Sequence, residues 1–426
     1  MPRYRWYVVG MLWWICFFNY ADRQAIFSVF PLLEKEFGLT LQQLGWLGSS
    51  FGLVYGLCAP LAGRIVDRVS RKRAILGGLH AWSLIAMFTA LSRGFGQLLF
   101  FRAAEGLGET FYMPASMSLV SDYHGTQTRS RALGLHQTSV YMGTIAGGYF
   151  AGLVGQTYGW RWSFVVFGAL GIALGVVLHR FLVEPERGAA EHAQPLPLRK
   201  TTLVAGGHAC PVFFTDLLRT PTVLILLAAF LCANFAAVVV LTWMPKFLYD
   251  KFHLSLAAAG LTATIFIQLA SMVGSPAGGW LADHLRTRRP GGRLMVQAAG
   301  LLCGAPFVVL CGLTHSIGWL ILSLIAWGFF KGLYDANIFA SLFDVVPPES
   351  RGTATGVMNM VGWLGGGGAA PIVTGYIAQH HSLSLAISLT SAVYVAGGAL
   401  LLAGITFFIK RDVMRMESAL ARPAIP

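Results

Sequence analysis

The sequence predicts an all-α membrane protein, with twelve transmembrane helices in two pseudo-symmetric six-helix bundles, and three observations carry the prediction. Of the 426 residues 55% are hydrophobic and 12% charged, so a water-soluble fold would have no interior large enough for its apolar surface. The apolar residues run on for about 20 positions at a time, the length that crosses a hydrocarbon core of about 30 Å, and do not alternate as strands do. A repeat relates the two halves of the chain.

The apolar runs lie near 7–31, 42–63, 74–92, 96–121, 132–155, 161–183, 221–248, 255–282, 294–314, 317–346, 353–378 and 384–409. The first has a basic start like a signal peptide, but its length and its continuation into Asp22-Arg23 make it an uncleaved first span. In the second run, Gly48, Gly52 and Gly56 recur every four residues, the stripe of a close helix contact. Gly48-Ser49-Ser50-Phe51-Gly52 matches the hydrolase pattern GxSxG, yet it falls inside a helix, so it is not read as a nucleophile elbow. One long polar stretch divides the spans six and six. It gives an N-terminal bundle over 1–183, a cytoplasmic linker over 184–220, a C-terminal bundle over 221–412 and a tail over 413–426. Asn19-Tyr20 matches Asn234-Phe235, Phe37 matches Phe252 and Gly45 matches Gly260 at an offset of about 215. Gly63 to Asp67 matches Gly279 to Asp283 at an offset of 216.

The formal charge of +13 is explained by topology and leaves little to bind nucleic acid. With both termini cytoplasmic, the inner loops and tails hold 23 Lys and Arg and the outer loops 5, which are Lys35, Arg93, Arg161, Lys246 and Lys251. A multi-pass inner (cytoplasmic) membrane protein is expected. The six cysteines show no CxxC spacing, and His380-His381 stands without further ligands, so neither disulfides nor a metal site is expected.

Ionisable groups inside a span cost roughly 2.5 kcal/mol or more each and usually mark a pathway. The first span carries Asp22 and Arg23, the fourth Arg102, Glu105 and Glu109, and the tenth Lys331 and Asp335. Adjacent helical residues point about 100° apart, so Asp22 and Arg23 must look to neighbouring helices. Arg102, Glu105 and Glu109, at i, i+3 and i+7, share one stripe of a helix that can face them. Four acids against three bases leave one surplus carboxylate. It is the candidate coupling site, protonated in one conformation and ionised in another, with Glu109 first, Asp22 second and Glu105 beside them. The matching positions in the second half are Ala237 and Val238, so the charge is kept on one side only. That half instead offers Asn234, Trp243, Gln268, Tyr334, Asp335, Asn337, Asn359 and Trp363 as candidate substrate contacts, joined by Arg23 and Arg102 from the first half. A guanidinium suits carboxylate or phosphate because it binds either as a bidentate fork. An enzyme would need a ligand or nucleophile constellation and a channel a ring of pore-lining groups; neither pattern is present in the sequence.

Gly63-Arg-Ile-Val-Asp67-Arg68-Val-Ser70-Arg71-Lys72-Arg73, between the second and third spans, resembles the cytoplasmic signature of the major facilitator superfamily. Its echo is Gly279-Trp-Leu-Ala-Asp283-His-Leu-Arg286-Thr-Arg288-Arg289. The resemblance implies the major facilitator fold, alternating access, one chain as a complete unit, and a cytoplasmic gate formed by Asp67, Arg68 and Arg71 with Asp283 in the echo. Asn19-Tyr20-Ala21-Asp22-Arg23, Arg102 to Gly106-Leu-Gly-Glu109 and Gly159-Trp-Arg-Trp-Ser-Phe164 are similar to the anion:cation symporter branch and its Spinster-like relatives. That likeness implies proton coupling at Asp22 and Glu109 and a substrate or coupling role for Arg23, with the proton as coupling ion, sodium as the alternative, and no other cofactor. It leaves the substrate open between an organic anion, such as a sugar acid, and an amphiphilic lipid such as a lysophospholipid. Gly143, Gly147, Gly148 and Gly152 in the fifth span lack the Gly-Pro pair of drug exporters, which makes drug or metabolite export the third alternative.

Overall fold

The structure, a computed structural model, describes residues 3–66, 68–125, 128–186, 219–347 and 351–421. Asp67, Cys210 and most of the 184–220 linker lie outside the described residues. Those described form helices and turns, with no strand among them. Before the linker come α1 (Tyr4–Ser28), α2 (Phe30–Phe37), α3 (Leu41–Val66), α4 (Arg71–Thr89), α5 (Phe95–Glu109), α6 (Tyr112–Tyr123), α7 (Arg129–Tyr158) and α8 (Trp160–Phe181). After it come α9 (Pro221–Phe252), α10 (Leu256–Arg286), α11 (Gly292–Leu313), α12 (Ile317–Asp335), α13 (Ile338–Phe343), α14 (Arg351–Gly362), a π-helical turn (Trp363–Ala369), α15 (Ala370–His380), α16 (Leu383–Phe407) and α17 (Ile409–Ala421).

All twelve apolar runs are helical; the first and twelfth are interrupted near one end, at Val29 and Phe408, and three others are divided in their interior. The fourth is α5 and α6, parted at Thr110–Phe111 directly after Glu109. The tenth is α12 and α13, parted at Ala336–Asn337 directly after Asp335. The eleventh passes through the wide turn between α14 and α15, which contains Gly365, Gly366, Gly367 and Gly368 and is followed by Pro371. Hydrocarbon offers no hydrogen bonds, so broken backbone at this depth must be satisfied by protein groups. Thr110 Oγ1 donates to the Gly106 carbonyl at 2.6 Å, and Asn337 Nδ2 donates to the carbonyls of Leu333 at 2.9 Å and Gly278 at 3.1 Å. Gln297, fully buried, donates to the Asn337 carbonyl at 3.1 Å.

The chain separates into two compact units, Met1–Val204 with Leu241–Ile265, and Ala205–Val240 with Phe266–Pro426. In the first, glycines set the helix spacing. A Cβ at Gly143 would strike the Phe17 carbonyl and one at Gly147 the Ala21 backbone, so α7 lies directly on α1. On the adjoining face of α7, Gly148 meets Gly260 and Gly152 meets Leu256, which brings the start of α10 onto α7. Gly159 has φ +93°, a conformation reserved for glycine, and it turns α7 into α8. Trp160 Nε1 and Arg161 Nη1 then donate to Glu36 at 2.7 and 2.9 Å, clamping α2 to that corner. Beneath these contacts Leu12, Leu79, Trp82 and Leu119 close a core around Tyr112, whose hydroxyl donates to the Leu12 carbonyl at 2.7 Å and lies 2.9 Å from His136 Nε2. In the second unit, Asp412 of α17 accepts from the Thr222 amide at 3.1 Å and its hydroxyl at 2.7 Å, capping the start of α9 from a distant part of the chain.

Gly147→Val is expected to destabilise the protein by about 1–3 kcal/mol, the cost of overpacking a close contact. Gly77→Ala, where a Cβ meets nothing within 4 Å, is expected to be neutral. Thermal melting of the two variants in detergent checks the pair.

Candidate functional site

Asp22 and Arg23 follow the α1 positions that Gly147 lets approach α7, and Arg102, Glu105 and Glu109 lie on one stripe of α5. The structure brings these five side chains into one buried cluster, none more than 8% exposed. Arg23 donates through Nε and Nη2 to a single oxygen of Glu109, at 3.1 and 2.6 Å, and reaches Asn19 Oδ1 at 3.3 Å. Arg102 pairs with Glu105 and donates to the Arg23 carbonyl at 2.8 Å, so α5 holds α1 by its backbone as well as by its charge. Phe51 of α3 stacks under both guanidiniums, 4.5 Å from Arg23 and 4.8 Å from Arg102, and Tyr20 lies 4.5 Å from Arg23. Gly106 makes this approach possible, because a Cβ there would stand 2.6 Å from the Phe51 carbonyl.

Carboxylate oxygens of Asp22, Glu105 and Glu109 lie within 4.8 Å of one another. Three acids meet two guanidiniums, so with all three acids ionised the cluster would carry one negative charge more than its own cations neutralise. Spacing and hard oxygen donors give the trio the form of a small-cation or proton site. One oxygen on each of the three, Asp22 Oδ1, Glu105 Oε1 and Glu109 Oε1, is buried without a hydrogen-bond partner.

The residues selected in the second half do not form one comparable knot. Lys331 pairs with Asp335 one turn along α12. Asn337 is 2% exposed, and its amide is committed to backbone carbonyls, which makes it the staple of the α12–α13 break. Asn234 Nδ2 donates to the Phe230 carbonyl at 3.1 Å, and Gln268 is buried on α10. The Tyr334 hydroxyl is buried without a hydrogen-bond partner, while Asn359 and Trp363 are half-buried at the approach to the π-helical turn. Trp243 belongs with the first unit, fully buried with its ring 5.9 Å from Phe30.

Of the expected cytoplasmic gate, Asp67 is outside the described residues and Arg68 is exposed. Arg71 is the centre of the arrangement, 1% exposed, paired with Asp122 at the end of α6 and with Glu184 after α8, and donating to the Pro185 carbonyl at 2.9 Å. Ser70 caps α4 by accepting from the Arg73 amide and donates to Glu184. The second unit repeats the design 222 positions on, where Arg293 bonds both oxygens of Asp344 at 2.9 and 3.0 Å. Asp283 takes the outer place there, 73% exposed and 3.1 Å from Arg293. Asp122, Glu184, Arg293 and Asp344 were not picked out by sequence reasoning, which treats charges beyond span ends as loop charges; the shared 222-residue offset from Arg71 to Arg293 and from Asp122 to Asp344 is a signal for three of them, and Glu184, matched by Thr406, has none. Lys246 also departs from its expected place among outer-loop cations. It lies within α9, 3% exposed, bonded to Glu34 and, at 2.8 Å, to Asp250, because α9 continues to Phe252.

Comparison with known proteins bears on the family and the fold. The family model of the Major Facilitator Superfamily matches residues 12–370 and 269–425. A hexuronate transporter of Bacillus subtilis is 26% identical over 416 residues, 95% of this chain and 93% of that protein. Protein spinster of Drosophila melanogaster is 28% identical over 390 residues, 88% of this chain, which spans 62% of that longer protein. The crystal structure of a bacterial homologue of the human lysosomal transporter Spinster, inward-facing and occupied, superposes with a TM-score of 0.82 at 21% identity, over 96% of this chain and 98% of that one, a likeness of fold.

Burial works to raise the Glu184 carboxyl, and hydrogen bonds from Ser70, the Arg71 amide and guanidinium and the Lys72 amide outweigh it, so the group sits below the ordinary glutamate range. A carboxyl depressed in the folded state contributes stability that is complete above its unfolded value of about 4.3 and is lost as pH falls through the folded value. Glu184→Gln is therefore expected to melt below wild type at pH 7, with the gap closing as pH is lowered past about 4. Arg71→Ala, which strands two acids, is expected to cost about 3 kcal/mol or more at pH 7. Melting temperatures of wild type and both variants across pH 3.5–7.5 test the pair.

Proposed function

Since this chain belongs to the Major Facilitator Superfamily, a family of transporters and not of enzymes, we propose that it is a proton-coupled carrier of an organic anion across the cytoplasmic membrane. Both termini are cytoplasmic in this proposal and one chain is the complete unit.

The buried cluster of three carboxylates and two guanidiniums supports proton coupling. Its surplus negative charge calls for one positive charge from outside, and a proton is the smallest that fits. Arg23 supports the anion. Its guanidinium spends two donors on one Glu109 oxygen, so proton and substrate compete through a single pair. When Glu109 takes a proton, the ion pair with Arg23 is lost and the bonds between them keep charge on the guanidinium side alone. The guanidinium is then able to take a substrate carboxylate or phosphate as a bidentate fork. When the anion leaves, Arg23 returns to Glu109 and the proton is released, so one proton accompanies one anionic group. Arg102, engaged by Glu105 and the Arg23 carbonyl, holds the cluster in register through the exchange. Asp22 is the second candidate to carry the proton, since one of its oxygens lacks a hydrogen-bond partner.

Among anions we favour carboxylated sugars, on the 26% identity with the hexuronate transporter across nearly the whole of both chains. The Spinster-like resemblance of the Asn19 to Arg23 and Arg102 to Glu109 segments carries a second reading, an amphiphilic phosphate ester such as a lysophospholipid.

Protein reconstituted in liposomes with a pH-sensitive dye inside is expected to move protons when a sugar acid is supplied, faster as the outside is acidified, and equally when sodium is replaced by choline. Glu109→Gln is expected to lower the substrate-driven proton rate at least tenfold, as loss of a coupling charge would. Undiminished proton movement in that variant would overturn the assignment to Glu109, a requirement for sodium would replace the proton, and a response confined to lysophospholipids would select the second reading.

A further inference from the structure

On the outer surface of the first unit, α1 and α8 enclose an apolar groove of about 510 Å³, within the range of small-ligand pockets. Its walls include Tyr7, Gly10, Met11 and Trp14 from α1 and Leu174 and Leu178 from α8. Three features indicate what fills it. The first is length. Its α1 wall runs from Tyr4 to Trp14, ten steps of about 1.5 Å or about 15 Å, which is the depth of one leaflet in a hydrocarbon core of about 30 Å. The second is an unfilled floor, since a Cβ built on Gly10 meets nothing within 4 Å. The third is chemistry that changes along the groove. Trp14 and Leu174 give an apolar deep end, whereas Tyr4, Trp6 and Tyr7 form an aromatic belt at the other end, where such rings sit at headgroup level.

Beyond that belt the charge is positive. Arg3 precedes Tyr4 and Arg180 precedes Phe181, both exposed, and Lys72 Nζ donates to the His179 carbonyl at 2.8 Å. The belt end is also fastened. Tyr4 OH donates to the Phe181 carbonyl at 2.6 Å and accepts from the Val183 amide at 3.0 Å, and the Trp6 ring packs on His124 at 4.7 Å. The groove is therefore built into the fold, and it opens sideways to lipid past the exposed rings of Trp14 and Phe181.

We infer that this groove binds an anionic diacyl phospholipid from the leaflet on the side of the arginine-rich loops. One acyl chain lies along Gly10, Met11 and Leu174, and the phosphate rests between Arg3 and Arg180. Basic side chains at that level hold anionic headgroups and leave zwitterionic ones weakly bound. The Glu109 cluster is separate from this site.

Full-length protein purified in detergent and titrated with phosphatidylglycerol or phosphatidylcholine, with bound lipid counted by native mass spectrometry, tests the inference. Wild type is expected to hold one phosphatidylglycerol at least fivefold more tightly than phosphatidylcholine, about the discrimination one arginine supplies. Gly10→Leu is expected to remove that tight lipid while the melting temperature in detergent alone stays unchanged. Arg180→Ala is expected to bring phosphatidylglycerol down toward phosphatidylcholine, and it decides the matter should Gly10→Leu fail to fold. Equal binding of the two lipids by wild type, or undiminished phosphatidylglycerol binding in both variants, would overturn the assignment. Glu109→Gln is expected to keep the tight lipid; its loss there would place the lipid in the transport site and also refute the groove.

Discussion

Everything in the first unit is arranged around the need to keep Arg23 and Glu109 together out of water. An isolated charge in hydrocarbon is prohibitive, so each must find the other and the remaining donors must find oxygens or rings. Small residues meet that demand. Gly143 and Gly147 bring α7 against α1, Gly106 brings α3 against α5, and the space so removed would otherwise let water between the charged groups. Phe51 then serves both guanidiniums at once, which a smaller or more distant side chain could not do. Packing and electrostatics are one construction here, since a methyl group added at Gly106 would move the ring on which both cations rest.

The two halves share their mechanical parts and differ in their chemical ones. Arg71 with Asp122 and Arg293 with Asp344 occupy equivalent places 222 residues apart, each a buried or half-buried arginine tying the end of one span to the start of another. Breaks in the fourth and tenth spans, after Glu109 and Asp335, are a second shared device. The five-residue charge cluster has no counterpart among the described residues of the second half, where Ala237 and Val238 stand at the positions matching Asp22 and Arg23. Duplication therefore preserved hinges and clasps while ionic chemistry was concentrated on one side.

Helical spans were legible in the sequence because lipid demands uninterrupted apolar length, a signal that needs no knowledge of tertiary contacts. The cluster was legible for a related reason: charge inside a span is so unfavourable that its few members had to be partners, and i, i+3, i+7 spacing showed which face Arg102, Glu105 and Glu109 share. What stayed hidden were features that apolarity does not encode. Thr110–Phe111 and Ala336–Asn337 interrupt helices at polar positions inside runs that are otherwise apolar and contain no proline at the break. Asp122 and Glu184 look like ordinary loop acids until folding buries Arg71 between them. Lys246 looked like an outer cation because its partner, Glu34, lies more than two hundred residues away in the sequence.

The wide turn at Trp363–Ala369 has a consequence for how the eleventh span moves. Pro371 has no amide hydrogen, and in a regular helix it would leave a carbonyl unserved and crowd the preceding turn. A π-helical turn already spaces its hydrogen bonds more widely, so the defect is absorbed where it arises. Four consecutive glycines present no Cβ to hinder the backbone as turns widen or tighten. Each residue taken up or released by that turn rotates the helix beyond it by about 100° and shifts it by about 1.5 Å. The span thus has a built-in screw thread, in which a change of one residue in the turn would bring a different face of the far end toward its neighbours.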